Sequence, residues 1–311
     1  MLFFVRCNFL HLYCKYFLFT YKKVFKHILY YFIMKKVIIE SNYSGFFSNC
    51  NIILSRIIDF FNSYKELPNE LITKDSFTIY KTNNEDIYKL IFSTNTDIIK
   101  YDKEIKFNDE NFENQFSDYK LLKLNDVYPF FNKYFMLNNN VLENANLLLN
   151  KYNINTENEI CGVFYRGNDK VKETQKPSYS EFIIKAKELR LKNNNIKFII
   201  QTDELEFLNT FIKEFPDSIF FNEIPVIKST HDTNVSRLLI DNKTSHVINF
   251  VSIIYIFSKL KYLITTSGNC EIFIVFYRNN TNNLFQYLKK NKYIHGSLNK
   301  VFDENNNQVW Y

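Results

Sequence analysis

Glycine is scarce in this chain: 311 residues carry five, alongside five prolines and one tryptophan. No G-x-G-x-x-G or G-x-x-x-x-G-K-[ST] pattern occurs, which argues against dinucleotide oxidoreductases and P-loop ATPases. The five cysteines, Cys7, Cys14, Cys50, Cys161 and Cys270, form no C-x-x-C pair, and the five histidines show no H-x-x-x-H spacing. A zinc site is therefore not expected. Scattered thiols of this kind read as reduced core cysteines of an intracellular, cytoplasmic protein.

Acidic residues are absent from residues 1–33, which hold Arg6, Lys15, Lys22, Lys23 and Lys26. The remaining 278 residues carry 34 of the 39 basic groups against all 33 acidic ones, so most of the net charge of +6 sits in the leader. A nearly neutral body lacks the overall basic footprint of a nucleic-acid binder. The leader is apolar and aromatic, yet its longest uncharged piece before Lys15 runs only from Cys7 to Cys14, far short of the roughly 20 residues a spanning helix needs. Three readings stand: a poor signal anchor or interfacial helix, a disordered extension, or sequence translated ahead of a start at Met34. Met34-Lys-Lys-Val-Ile-Ile-Glu enters a strand directly, which favours the late start over membrane contact.

What is abundant is aromatic: 33 Phe and 22 Tyr. With abundant Asn, Ile and Lys this is the usage of an AT-rich genome, such as a large DNA virus carries, and the triplets at Asn42, Asn234, Asn242 and Asn279 carry no weight as glycosylation sites. The length allows two domains. Past Met34, short β-branched runs alternate with helical periods, the pattern of parallel α/β layers. A strand is expected at Val37 to Glu40, a helix from Asn49 to Phe61, a strand at Phe77 to Tyr80 and a helix from Val141 to Tyr152. The polar linker at Asn153 to Asn158 places a boundary near 155, giving an N-terminal α/β domain (34–154) and a Rossmann-like C-terminal domain (155–311).

The second half reads more regularly. Strand Glu159 to Tyr165 precedes a helix opening at Ser178, with Glu181 completing a capping box. Strand Ile196 to Ile200 precedes a helix opening at Asp203, with Glu206 at the same spacing, and Phe220 and Phe221 form a short strand. A buried helix from Ile248 to Phe257 leads into strand Tyr262 to Thr265, followed by the helical run Ile272 to Tyr277.

Four of the five glycines stand in three short segments: Gly45 in Ser44 to Ser48, Gly162 and Gly167 in Gly162 to Lys170, and Gly268 in Thr266 to Asn269. In a chain that otherwise turns on asparagine, glycine is expected where φ is positive or backbone approaches a ligand. Three polar clusters follow three expected strands: Arg166 to Lys170, Gln201 to Glu204, and Thr266 to Asn269. Strand-end loops of an open parallel sheet line a common crevice, so all three should meet one ligand. Arg166 and Lys170 suit a pyrophosphate, one as a bidentate fork and one as a flexible point charge. Ser267, Gly268 and Asn269 open a helix whose N–H groups add anion affinity. Asp203 reads better as an N-cap than as a catalytic group. Asp169 and Glu173 are the carboxylates nearest the basic cluster; either could be a general base or simply orient Arg166 or Lys170. Ser44 to Asn49 is a candidate facing wall, or an ordinary strand-to-helix connection.

The segment Gly162-Val-Phe-Tyr-Arg-Gly-Asn-Asp-Lys-Val171 resembles the first motif of the α1,6-fucosyltransferase and protein O-fucosyltransferase superfamily, approximately G-V-H-V-R-R-T-D-K-V. Gln201-Thr-Asp-Glu is similar to that family's A-T-D-D, and Thr266-Ser-Gly-Asn to its F-S-S-Q, in the same order, across residues 159 to 288. The resemblance implies a GT-B architecture, two Rossmann-like domains facing across a cleft, and a metal-independent inverting glycosyltransferase. It would take a GDP-sugar as substrate, GDP-fucose by the family's pattern, require no cofactor or metal, and act on a glycan or protein acceptor. By matching position Arg166 would neutralise the β-phosphate and Lys170 would assist. Gly167, Asp169 and Asp203 would shape the donor pocket, and Ser267, Gly268 and Asn269 would meet phosphate or ribose. The missing D-x-D pair agrees with metal independence. Four departures stand out: Phe164 replaces a histidine, Gly167 replaces an arginine, Thr174 holds the position of the family's base with Glu173 one residue away, and Val251-Ser-Ile-Ile-Tyr lacks an aspartate. These leave open a glycosyltransferase-like binding or structural protein without turnover.

Overall fold

The computed structural model describes residues 36–40, 43–95, 99, 101, 103–107, 113–168, 170, 177–228, 242–288 and 309–311. The leader, Asp169, Glu173 and Gly296 lie outside the described residues. β1 (Lys36–Ile38) and β2 (Glu70–Ile72) pair in parallel, Val37 opposite Leu71. Between them α1 (Phe46–Tyr64) extends three residues beyond the expected helix at each end. Its buried stripe of Ile53, Leu54, Ile57, Ile58 and Phe61 keeps the helical spacing that marked it in sequence.

The strand expected at Phe77 to Tyr80 is a 3-10 turn over Thr78–Tyr80. Phe77 sits at φ 57°, and its N–H donates to Asn49 Oδ1 at 3.3 Å within the core. A long-range bond thus overrides the strand preference of an aromatic and β-branched run. Then come α2 (Ile87–Ile91), β3 (Phe92–Ser93), α3 (Leu124–Tyr134), β4 (Met136–Leu137) and α4 (Asn139–Lys151), with β3 and β4 antiparallel.

The second half carries β5 (Ile160–Tyr165), α5 (Tyr179–Lys192), β6 (Lys197–Thr202), α6 (Leu205–Glu214), β7 (Ile219–Phe220), α7 (Lys243–Lys259), β8 (Tyr262–Thr265), α8 (Asn269–Arg278) and β9 (Leu284–Gln286). All five strands are parallel, in the order β7-β6-β5-β8-β9. The expected capping box opens α5: Ser178 Oγ accepts from Glu181 N–H while the Glu181 carboxylate accepts from Ser178 N–H.

Alternation along β5 assigns the two faces of the sheet. Cys161, Val163 and Tyr165 enter the core beneath α5 and α6, whereas Ile160 and Phe164 enter the core that holds α7, α8 and the first-half helices. Gly162 lets α7 approach the sheet: a Cβ there would lie 2.8 Å from Phe257 Cδ1. Cys50, Cys161 and Cys270 are buried thiols without disulfides. Among the described residues no helix is long and apolar enough to cross a membrane.

The expectation for glycine divides. None of the four described glycines has φ in the left-handed region; that conformation is taken by Lys65, Phe77, Asn153, Asn279 and Asn283. Asparagine therefore takes most of these turns, its short polar side chain tolerating them, and glycine serves close approach.

Candidate functional site

Arg166, Asp203 and Thr266 are each the first residue beyond a strand, following β5, β6 and β8. The register pairs Tyr165 with Thr202 and Phe164 with Thr265, so the three residues emerge side by side. Strand order also reverses here: from β5 the chain lays β6 and β7 on one side, then returns to place β8 on the other. Such a switch point is where neighbouring loops diverge and leave a ligand crevice.

Asp203 organises the first cluster. Its Oδ2 accepts from Arg166 Nε at 3.1 Å, and its Oδ1 accepts from Gly167 N–H at 2.9 Å. Asn168 Nδ2 in turn donates to the Asp203 carbonyl at 2.7 Å. The helix-cap reading of Asp203 is thereby corrected: α6 starts at Leu205, its N-cap position is Glu204, and the Asp203 carboxylate reaches back 37 residues to Arg166. An ion pair with both side chains largely out of water outweighs a local cap, since leaving either charge unpaired is the costlier arrangement.

Gly167 rests against another carboxyl. A Cβ on it would fall 2.1 Å from Glu204 Cδ, while Glu204 itself is fully buried and accepts from Tyr179 OH at 2.9 Å. Gly167→Ala must push that carboxyl aside, and we expect a loss of about 1–3 kcal/mol, read as a lower urea midpoint with an unchanged slope. An unaltered midpoint would mean that the carboxyl swings clear without loss.

Lys170 is buried to 9 % exposure, its ammonium 5.7 Å from the Phe116 ring centre. Arg166 Nη1 also donates to Cys270 Sγ at 3.4 Å, and burial pushes that thiol up to about 12 despite the nearby guanidinium. The backbone N–H of Arg166 donates to Thr266 Oγ1 at 3.2 Å, and Thr266 OH donates to Glu271 Oε1.

The third cluster lies where the sequence put it, but its polar groups hold protein partners. Ser267 Oγ donates to the Tyr287 carbonyl at 2.8 Å and accepts from Gln286 Nε2 at 2.8 Å. Gly268 N–H donates to Tyr119 OH at 2.9 Å. Asn269 Nδ2 donates to Ser48 Oγ at 2.9 Å and Gln115 Oε1 at 3.2 Å. Ser48, in the segment read as a facing wall, thus meets the third cluster directly. Phe164 points away from these loops into the α7 core, its ring 5.6 Å from Phe257.

Of the expected site residues, the fold gathers Arg166, Gly167, Lys170, Asp203, Ser267, Gly268 and Asn269 at one end of the sheet. Sequence reasoning missed Tyr119, Gln115, Gln286, Cys270 and Glu271. For Glu271 a signal existed: it is the lone acid of the apolar run from Cys270 to Tyr277. The others act across 100 or more residues or through neighbours' backbones, where no local pattern forms.

Comparison with protein-family models and with curated proteins gives no sequence match. Solved structures do match. The NodZ alpha-1,6-fucosyltransferase co-crystallised with GDP aligns over 80 % of this chain and 94 % of its own, at 11 % identity and a TM-score of 0.50. A fucosyltransferase NodZ from Bradyrhizobium aligns over 73 % and 87 %, at 9 % identity and a TM-score of 0.44. The apo form of POFUT1 aligns over 51 % of this chain and 49 % of its own, at 7 % identity and a TM-score of 0.35, so the chain spans about half of POFUT1. The first alignment establishes a shared mixed α/β fold with parallel sheets.

Proposed function

We propose that this chain, built on the fold of the fucosyltransferase-like GT-B superfamily, is a glycosyltransferase that takes a GDP-sugar, with GDP-fucose the first donor to test. The reaction proposed is metal-independent and inverting. The observation that carries the reading is Arg166 at the switch point, its guanidinium fixed through Nε by Asp203 while Lys170 lies in the same loop. Sugar transfer from a nucleotide sugar expels a nucleoside diphosphate, and negative charge grows on its β-phosphate as the glycosidic bond breaks. A guanidinium already oriented by a carboxylate stabilises that charge without reorganising at the moment of reaction. The fold-mate NodZ was crystallised with GDP, which makes guanosine diphosphate the natural probe. The acceptor would be a glycan or protein hydroxyl.

The test is a thermal-shift series with GDP, UDP, CDP and ADP, each with and without EDTA. Selective stabilisation by GDP that survives chelation is expected. Equal response to all four nucleotides, or loss of the GDP effect in EDTA, would overturn the donor assignment or the metal independence respectively.

One observation favours a second reading, a glycosyltransferase-like protein that binds without turnover. Tyr119 already accepts the Gly268 N–H that a phosphate oxygen would use, and Phe164 stands buried where the family motif has histidine. Slow hydrolysis of the donor by the purified chain separates the two readings, since a binding protein releases no sugar.

A further inference from the structure

Among the described residues, four buried side-chain atoms without a hydrogen-bond partner belong to the strand ends of β6 and β8 or the first turn of α8: Gln201 Oε1, Thr265 Oγ1, Asn269 Oδ1 and Glu271 Oε2. Buried polar atoms are nearly always paired in a finished protein. Of the four, only Glu271 Oε2 belongs to an ionisable side chain, whose charge state the proposed donor chemistry must contend with.

Glu271 is 1 % exposed. Its Oε1 accepts from Thr266 OH, which accepts the Arg166 backbone N–H, so the carboxyl is one hydroxyl removed from the arginine loop. Its Oε2 lies on the other side, 2.7 Å from where a Gly268 Cβ would be, and that same point is 3.6 Å from Lys170 Cε. Gly268 thus leaves room for a carboxyl between the α8 N-terminus and the lysine stem. Ionised, this carboxylate would hold the two cations and oppose a diphosphate; neutral, it leaves their charge to the ligand.

We infer that Glu271 is a positioning residue whose carboxyl must carry a proton for Arg166 and Lys170 to take a nucleotide-sugar diphosphate, so that donor binding is coupled to proton uptake. The inference rests on the donor reading given above. Burial raises the Glu271 pKa from its ordinary value, while the Thr266 bond and the charges of Arg166 and Lys170 pull it down. A diphosphate arriving beside it adds negative charge and raises the pKa further, which is the coupling. Among the described residues, the other titratable groups around it are Asp203, paired with Arg166, Cys270 on its own helix, and Tyr119 from the first half. Burial raises both the Cys270 thiol and the Tyr119 phenol, which keeps them neutral through the physiological range.

The test is calorimetry of GDP-fucose, whose esterified phosphates keep a constant charge near neutral pH, with the full chain and with Glu271→Gln. Glutamine is uncharged at every pH and can still accept from Thr266. We expect wild-type affinity to fall by up to about tenfold per pH unit above the Glu271 midpoint, as one linked proton requires. Titrations in two buffers of different protonation enthalpy should show proton uptake approaching one. Glu271→Gln should bind with a flatter pH profile and without that uptake. Identical profiles and uptake in the two proteins would overturn the inference and leave the donor site standing. So would a folded Glu271→Gln variant that binds at no pH, because the carboxylate itself would then be required. Absence of binding by the wild type at every pH would instead remove the donor reading, and this inference with it.

Discussion

Arg166→Ala should reduce donor hydrolysis by about 10²–10³-fold, the usual cost of removing one preorganised donor from a site of developing charge. The same change also takes the Arg166 ion pair from Asp203, whose side chain is only 10 % exposed. Loss of activity could then reflect a weakened fold, so the single variant is not sufficient. Arg166→Ala with Asp203→Asn removes that buried charge while leaving an oxygen to accept the Gly167 N–H. The double variant should regain most of the thermal stability lost by the single one, because a buried carboxylate that has lost its counter-ion is the costly part of a broken pair. Its hydrolysis rate should stay at the level of the single variant. Recovered activity in the double variant would show that Arg166 serves only to neutralise Asp203, and the β-phosphate role would fall. Arg166→Lys is the complementary probe: it retains charge but loses the planar fork and the Nε bond, and it should recover binding more than rate.

The elements legible in the sequence were those whose signals are local. β8 spans Tyr262–Thr265 as expected, and the Ser178 and Glu181 capping box is present because both halves of that signal lie within four residues. Strand-end polar clusters were legible for a topological reason: a parallel sheet has to deliver its loops to one end, whatever the loops contain. Illegible were contacts written across distance. Ser-x-x-Glu at 178 and Asp-x-x-Glu at 203 have the same spacing, yet only the first is a capping box. The difference is Arg166, 37 residues away, which no inspection of residues 203 to 206 reveals.

The stretch from 64 to 135 resisted reading for a related reason. Apart from the eleven-residue α3, its described elements are a five-residue helix, 3-10 turns and two- or three-residue strands, too brief for a periodicity to emerge. Its most consequential residue, Tyr119, has a single sequence neighbour among its hydroxyl's partners, Gln115, and otherwise meets Gly268, 149 residues on. Gln286 completes that contact from the last strand of the sheet, its Oε1 accepting the Tyr119 N–H at 2.9 Å and its Nε2 donating to the Ser117 carbonyl at 2.9 Å. The sequence could offer Tyr119 only as one tyrosine among 22.

Phe273→Ala should cost about 3–5 kcal/mol, the range for truncating a fully buried phenylalanine in a packed core. Phe273 has no exposed surface and lies on α8 with ring centroids 4.9 Å from Phe47, 5.7 Å from Phe131 and 5.5 Å from Phe135. Those three rings come from α1 and from the end of α3, all in the first half of the chain. A cavity here therefore loosens the seating of α8 on the first half, not merely its packing against the five-stranded sheet. One turn toward the N-terminus, the same helix carries Asn269, bonded to Ser48 and Gln115, and follows Gly268, bonded to Tyr119. The polar contacts at the strand ends thus depend on an apolar seat beneath them. Equilibrium denaturation should show the loss in midpoint, and GDP should stabilise the variant less than the wild type at equal nucleotide concentration. A variant that loses the full 3–5 kcal/mol yet keeps the wild-type GDP shift would separate the two roles, leaving Phe273 to the core alone.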